Sequence, residues 1–574
     1  MPDAPALRPY QRAAIDAVIA ARRSGARRLV VCLPTGAGKT VIFSHLARLA
    51  KRQVLVLAHR EELLAQAADK IARALGDPAA VAVEQADRRA PASAKVVVCS
   101  IRSLHERRLA EVLRDRDVGL VVYDECHHAA AEDNQRVLRQ IGAFDPAWSG
   151  TLLGFTATTA RGDGIGLDKV FERIVYTRTL PEMIDDGYLV PLRGFRIETA
   201  ADLTRVTAGG LDFKEEELAE AVDIEERNAL VARSIQELAR DRRTIVFCVT
   251  VGHAKNLAQA LRLLGVPAGV IYGDMPSDRR AEVLAAFREG RIAALTNVAV
   301  LTEGFDDPGV SCVAMARPTR SEGLYAQCVG RGTRLHPGKK DCLILDFADV
   351  SRLSLCTLPS LFGMPRDLDL QGQDAGEARR AWSRITLDHP GFEVEAGAIT
   401  LREIQHRAES FDPLKLQIDP EVVAISRNAW ESLGRHGLAL HYEDKPGRLR
   451  EVLVLARGAR GKRWHVTVDG ELVERFSTIE EAVQAVDYEV DRRGRNAVTS
   501  ARDSAGWRHE PAPESLTATL PVTRTGRRPA TMGEAMRLLV WTRVVGEKKP
   551  DEGVNKKTKK RSSDDGRPGK DRVE

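Results

Sequence analysis

The chain has 574 residues, 43% hydrophobic and 29% charged, a globular composition that excludes a disordered polymer. Lys and Arg number 86 against 81 Asp and Glu, and a net charge of +5 is too small to establish nucleic-acid binding by itself. No apolar run reaches the ~18–20 residues of a membrane-spanning helix, and Met1-Pro2-Asp3-Ala4-Pro5 lacks the basic-then-apolar order of a secretory signal.

At ~150 residues per domain, the length predicts three to four domains. Aromatics are only 5%, so the cores must be built from Ala, Val, Leu and Ile. The eight cysteines (32, 99, 126, 248, 312, 328, 342 and 356) form no C-x-x-C pair, which argues against a zinc or iron–sulfur site. Most lie in apolar runs, as buried thiols of a reducing cytoplasm do.

In chain order, short β-branched runs recur with helical patterns between them. The first set is Leu29–Leu33, Val54–Ala58, Val96–Cys99, Leu120–Tyr123 and Leu152–Phe155. The second is Ile245–Cys248, Ala268–Ile271, Ala293–Thr296, Cys312–Met315 and Cys342–Leu345. They are apolar throughout and do not alternate, the pattern of strands covered on both faces in parallel sheets. Spacers such as Glu61–Ala74 and Ala254–Leu264 suit crossover helices. Two α/β domains follow, over 1–190 and 191–358.

Beyond them, Pro359, Gly363, Pro365, Gly372 and Gly376 break the pattern, and 359–447 reads as a linker with helices. An accessory domain is expected over 448–545, with strands Arg450–Ala456, Arg463–Val468 and Glu471–Phe476. Asp469-Gly470 predicts a hairpin turn between the last two. A helix from Ile479 to Arg492 follows, capped by Ser477 or Thr478 with Glu480 and Glu481 in its first turn. The segment 546–574, with ten Lys/Arg, seven Asp/Glu and almost nothing to bury, reads as a disordered basic tail.

Three constellations carry chemistry. The first strand runs into Pro34-Thr35-Gly36-Ala37-Gly38-Lys39-Thr40, followed by an apolar helix. Small residues let backbone N–H groups close around a phosphate. The helix N-terminus adds partial positive charge, Lys39 neutralises the β/γ oxygens, and Thr40 offers a hydroxyl to Mg²⁺. Leu33 stands where the strict pattern has a small residue. The fourth strand ends in Asp124-Glu125-Cys126-His127, at the carboxyl end where ligands bind in open parallel sheets. Asp124 suits Mg²⁺, and Glu125 suits the attacking water. Late in the second set lies Gln327-Cys328-Val329-Gly330-Arg331-Gly332-Thr333-Arg334. Its two arginines fit charge stabilisation on a γ-phosphate, although read alone they are better taken as a solvated basic helix face.

Together these segments resemble the superfamily 2 helicases and translocases, over about residues 7–350 and with the motifs in family order. The resemblance implies two tandem RecA-like parallel-sheet domains plus a small C-terminal α+β accessory domain. It implies an ATP-dependent, Mg²⁺-requiring motor acting on nucleic acid. Leu7-Arg8-Pro9-Tyr10-Gln11 looks like the adenine-reading motif, with Gln11 on the base edge and Arg8 against the ring. Thr156-Ala157-Thr158 looks like the motif coupling hydrolysis to movement. Leu301–Asp306 resembles motif V, with Asp306 placed for the ribose, and Gln327, Arg331 and Arg334 would face the γ-phosphate. Strand contacts are implied for His59, Arg60, Ser100, Thr250, Gly273 and Thr296, each also readable as an ordinary strand-end residue.

The Leu-Arg-x-Tyr-Gln opening, Ala58-His59-Arg60-Glu61-Glu62-Leu63 and Thr302–Asp306 look like the Rad25/XPB and restriction-enzyme motor branch, whose members mostly act on duplex or branched DNA. DEAD-box RNA helicases carry other forms at Thr156–Thr158 and Gln327–Arg334. A DNA helicase or duplex translocase is therefore expected, with an RNA helicase or a non-hydrolysing nucleic-acid scaffold as alternatives. No nuclease constellation is seen ahead of residue 7. Trp507–Ala512 and Thr531–Ala535 faintly resemble an ending of some bacterial members. Arg457, Arg460, Lys462 and Arg463 beside Trp464 fit either a nucleic-acid contact or a solvated turn.

Overall fold

The computed structural model describes residues 7–58, 61–85, 87–157, 167–209, 212–302, 305–351, 354–389, 392, 394, 397, 399–412, 416–457, 463–520 and 528–546. They divide into two compact units, Met1–Trp382 with Ala396–Leu401, and Ser383–Glu395 with Arg402–Glu574.

The first unit holds two parallel sheets. One contains β1 (Arg28–Cys32), β2 (Gln53–Ala58), β3 (Val81–Glu84), β4 (Val96–Ser100), β5 (Val118–Asp124), β6 (Thr151–Thr156) and β7 (Arg173–Thr177), in the order β3-β4-β2-β5-β6-β1-β7. The second has β8 (Leu192–Asp202), β11 (Arg243–Phe247), β12 (Ala268–Ile271), β13 (Ala294–Asn297), β14 (Val310–Met315) and β15 (Cys342–Val350), in the order β12-β13-β11-β14-β15-β8. A two-residue hairpin, β9 (Ala208–Gly209) and β10 (Asp212–Phe213), interrupts the chain after β8. β16 (Leu368–Asp369) and β17 (Ile399–Thr400) form a short parallel ladder.

The central strands are apolar because both faces are covered. In the first sheet Leu55, Val97, Val121 and Leu152 pack with Leu109 and Leu138 of the flanking helices. In the second, Val246, Cys312, Ala314 and Leu345 pack with Leu257 and Leu261. All eight cysteines are buried and unpaired.

Three strands, β3, β7 and β8, fall outside the two sets of five read from the sequence, and each lies at a sheet edge. The interval after β2, read as the crossover helix Glu61–Ala74, also contains β3.

The second unit is built on an antiparallel sheet in the order β18-β19-β20-β21-β22. Its strands are β18 (Glu431–Ser432), β19 (Gly437–Lys445), β20 (Arg448–Arg457), β21 (Arg463–Val468) and β22 (Glu471–Phe476). The sheet thus begins at Glu431, well inside the stretch read as linker. Alternation along β19 and β20 serves two cores: Leu438, Leu440, Val452 and Val454 face Val483 and Val486, while Ala439 and Leu453 face Val540 and Trp541. The Asp469-Gly470 turn has both residues at positive φ, 49° and 87°. The helix is Ile479–Arg492, with Thr478 and Glu481 forming a capping box. The Trp507–Ala512 and Thr531–Ala535 segments meet: the N–H of Ala512 donates to Ala530 O at 3.1 Å and that of Met532 to Glu510 O at 2.8 Å. Nearly all of the proposed tail, 547–574, lies outside the described residues, as do Arg460, Lys462 and the turn around them.

Candidate active site

The site starts where β1 ends. The chain turns through Gly36 and Gly38 at φ 87° and 73°, conformations glycine adopts without strain, and enters the helix Lys39–Leu49. The first amides of a helix have no intrahelical partner, so this turn presents donors and partial positive charge to an anion. The helix Pro9–Arg23 braces the turn. The Tyr10 hydroxyl donates to Ala37 O at 2.7 Å. The Gln11 amide lies so near Gly38 that a Cβ there would come within 2.8 Å of Nε2. The Gln11 Oε1 accepts from the Arg8 N–H at 3.0 Å, and the Arg8 guanidinium sits 5.6 Å from the centre of the Tyr188 ring.

At the end of β5, the Lys39 ammonium pairs with Glu125 Oε1 at 3.4 Å, both groups nearly buried. Asp124 Oδ1 accepts from the Glu125 N–H at 3.1 Å. Glu125 itself has φ 52° and ψ 53°, in the left-handed region. Its Oε2 is buried, makes no hydrogen bond, and has His127 Nδ1 beside it at 3.4 Å. His127 Nδ1 in turn lies 3.3 Å from Thr156 Oγ1. The segment expected to couple hydrolysis to movement is therefore joined to the general-base candidate through one imidazole. Thr35 Oγ1 is also buried without a hydrogen-bond partner. Orphaned polar atoms beside a Lys, a Thr and two acids form a donor set that fits a phosphate and a divalent cation.

The second sheet supplies the opposite wall. The helix Glu322–Val329 ends at Gly330, packed so closely on Thr35 that a Cβ would come within 2.5 Å of the threonine Cβ. The Thr333 hydroxyl lies 3.4 Å from Thr35 O, and a Cβ on Gly36 would meet it at 3.1 Å. Gln327 is buried, and its carbonyl accepts from Arg331 Nε at 3.4 Å. Arg331 and Arg334 both donate to Phe305 O, at 2.9 and 3.2 Å, and Arg334 also pairs with Asp306.

Asp306 receives a second cation, Lys70, from the first sheet's side. Burial pushes its pKa up, but Arg334 and Lys70 outweigh that and hold the carboxyl below its ordinary value. Lys70, Tyr188 and Lys339 were not singled out by the sequence reading. Lys70 and Tyr188 have partners distant in the chain, and no local pattern marks any of the three.

Of the expected strand contacts, two have buried side chains. Thr296 is fully buried, and its hydroxyl lies within hydrogen-bonding reach of Ala254 O and Gly269 O, at 2.9 and 3.2 Å, where it ties sheet to helix. Ser100 is 1% exposed at the end of β4, while Arg102 two residues on is exposed. Thr250 caps the helix Val251–Leu263 through the His253 N–H at 3.2 Å, and Gly273 is exposed with open space around it. His59, Arg60 and Thr158 lie outside the described residues.

Comparison with known proteins bears on this site as a whole. A family model described as type III restriction enzyme, res subunit, matches residues 4–161, and one described as helicase conserved C-terminal domain matches 226–336. The chain is 33% identical to the candidate mitochondrial ATP-dependent helicase irc3 of Schizosaccharomyces pombe, over 76% of this chain and 73% of that protein. It is 32% identical to the candidate ATP-dependent helicase IRC3 of Saccharomyces cerevisiae, over 65% of this chain and about half, 55%, of that protein. It is 26% identical to the type I restriction enzyme EcoAI endonuclease subunit of Escherichia coli, over 60% of this chain and 46% of that protein.

Proposed function

Since the chain belongs to the superfamily 2 helicases, in the branch shared with irc3 and the restriction-enzyme motors, and is an ATP-dependent enzyme, we propose that it couples ATP hydrolysis to movement along duplex or branched DNA. The observation that supports this most is a site built from both sheets: the Lys39–Glu125 pair from one, with Gly330 and Thr333 of the arginine segment packed on the Thr35–Gly36 turn.

In this reading Thr35, Gly36, Ala37, Gly38 and Lys39 cradle the phosphates, with Arg8 and Gln11 at the base. Thr40 and Asp124 would hold Mg²⁺, which when bound supplies charge stabilisation on the β and γ oxygens. Glu125 orients the attacking water and accepts its proton. Gln327, Arg331 and Arg334 meet the charge that develops on the transferred phosphoryl group. Asp306 takes the ribose when nucleotide displaces its present partners. Thr156, through His127, senses the state of Glu125, and Thr158 continues that segment. Closure and reopening of the two sheet domains then shifts one strand-gripping surface relative to the other.

The motif forms and the likeness to a restriction endonuclease subunit favour DNA over RNA. ATPase rates with no nucleic acid, duplex DNA, single-stranded DNA and RNA of matched length decide between them. Duplex or forked DNA should stimulate several-fold more than RNA, with little dependence on base composition. Displacement of a third strand from a triplex without fork unwinding identifies a duplex translocase; both together identify a helicase. Stimulation by RNA alone overturns the DNA reading. No helix among the described residues is long and apolar enough to cross a membrane. Buried thiols fit the reducing cytoplasm, and cell fractionation tests that against a mitochondrial location like that in the irc3 description.

A further inference from the structure

We propose that Lys339 is the positioning residue of the arginine segment: its ammonium group ties the backbone that carries Arg334 to the backbone that follows Asp306. The chain leaves Arg334 through an exposed turn, with Gly338 at φ 80°, and Lys339 folds back beneath it. The ammonium donates to three carbonyls: Gly332 O at 2.6 Å, Arg334 O at 2.9 Å and Pro308 O at 3.2 Å. An ammonium has three N–H donors and no acceptor, so this site saturates it.

The acceptors are backbone oxygens, and that decides the role. Lys339 does not engage the guanidinium of Arg334, which now bonds Asp306 and Phe305 O. The side chain can turn toward a phosphate while the backbone beneath it stays fixed. Gly332 adds to the constraint, because a Cβ there would lie 2.2 Å from Cys342 Sγ. Arginine cannot replace the lysine, since a planar fork does not address three carbonyls from one atom.

The surroundings are those of a strained cation. Burial lowers the Lys339 pKa to about 8; Asp307 favours the charge, Arg334 and Arg243 oppose it, and the Cys342 thiol beside it is kept neutral by its own burial. Arg243 is itself paired with Asp307 at 3.3 Å, and Asp306 faces Arg334 from the same loop. A neutral amine has one N–H fewer, so one of the three ties is lost as the pH rises through this value.

The inference rests on the reading of Arg334 as a group that stabilises the transition state. The test uses the full chain with duplex DNA, comparing wild type, Lys339→Gln, Lys339→Met, Arg334→Ala and the Lys339→Gln/Arg334→Ala double variant. Turnover, KM and binding of a fluorescent ATP analogue are measured from about pH 7 to 9.5. Both single lysine variants should lose about tenfold or more in kcat, as slight misplacement of a catalytic group does, and keep analogue affinity within about twofold. The double variant should be no slower than Arg334→Ala, because the lysine acts through the arginine. Wild-type kcat should fall above about pH 8, a limb absent from Lys339→Gln. Wild-type kcat in Lys339→Gln beside an impaired Arg334→Ala, or losses that multiply in the double variant, overturns the positioning role alone. Normal turnover in Arg334→Ala overturns the arginine reading and this inference with it. Should both lysine variants fail to fold, the wild-type pH profile still decides, and a flat one overturns the proposal.

Discussion

Lys70 on the first sheet domain and Asp306 on the second form an ion pair at 2.7 Å, and the same carboxylate holds Arg334. One acid is thus shared by a cation from each side of the cleft. Asp306 is the residue we propose for the ribose, and in that role Lys70 would compete with nucleotide for it. The pair is partly exposed, with 46% of the Lys70 side chain open to solvent, so it contributes about 1 kcal/mol or less.

Replacing Lys70 by alanine should therefore lower KM for ATP by up to about fivefold at low salt, the factor corresponding to ~1 kcal/mol. The difference should shrink as salt screens the pair in the wild type. ATP titrations of both proteins at two salt concentrations check this, and a raised KM in Lys70→Ala would make the pair an aid to closure.

The Lys39–Glu125 contact predicts a split between binding and chemistry. Glu125→Gln should keep ATP binding and lose turnover by ~10² or more, the usual contribution of a general base. Lys39→Ala should lose binding itself. Equilibrium binding of an ATP analogue and steady-state hydrolysis separate the two effects; near-normal turnover in Glu125→Gln refutes the assignment.

Arg331→Ala and Arg334→Ala should each leave ATP affinity nearly unchanged and cut hydrolysis by ~10² or more, because donors aimed at developing charge act in the transition state. Arg334→Ala also frees Asp306 from one partner, so its effect on KM should depend on Lys70. Unchanged kcat in both variants would make them structural residues of the second sheet.

In the second unit, His441 is fully buried between Glu431 at 3.5 Å and Glu451 at 3.6 Å, spacings that are electrostatic and not hydrogen bonds. Burial lowers its pKa, but the two carboxylates outweigh burial and raise it above 6.5. Its stabilisation is therefore complete below about pH 6.5 and is lost as pH climbs through the raised value. Glu431 shifts the other way: burial raises it, His441 and Arg508 lower it below 4.5 overall, and its contribution disappears in acid. Thermal melts followed by the fluorescence of the buried Trp430 should show highest stability between about pH 4.5 and 6.5. His441→Asn should flatten the alkaline limb, and an unchanged limb assigns it to another group.

How much of this was legible depended on where each signal is written. The phosphate turn and the Asp124–Glu125 pair are local in sequence and follow apolar strands, so both could be read directly. Central strands such as Val54–Ala58 announce themselves because both faces are buried. β3, β7 and β8 do not, since most of their residues are half-buried or exposed, unlike those of the edge strand β12, and Arg173–Thr177 has no buried residue at all. β19 escaped for another reason. Its central residue is His441, polar in sequence and buried in fact, and its partner Arg508 lies far along the chain, donating to Glu431 at 2.9 Å. The Lys70–Asp306 pair and the Lys339 tie to Pro308 O likewise join residues that only the folded chain brings together.

The left-handed backbone at Glu125 bears on what selection can preserve. Such a conformation costs an L-residue ~1–2 kcal/mol that glycine does not incur, against ~0.5–1 kcal/mol for glycine's own chain entropy. Glycine at this position therefore leaves the fold about as stable as before while removing the carboxylate proposed as the general base. A library screened only for soluble, folded protein should accept Glu125→Gly freely, whereas one screened for growth that depends on the motor should purge it. The residue proposed here as the general base is one that folding alone gives the lineage no reason to keep.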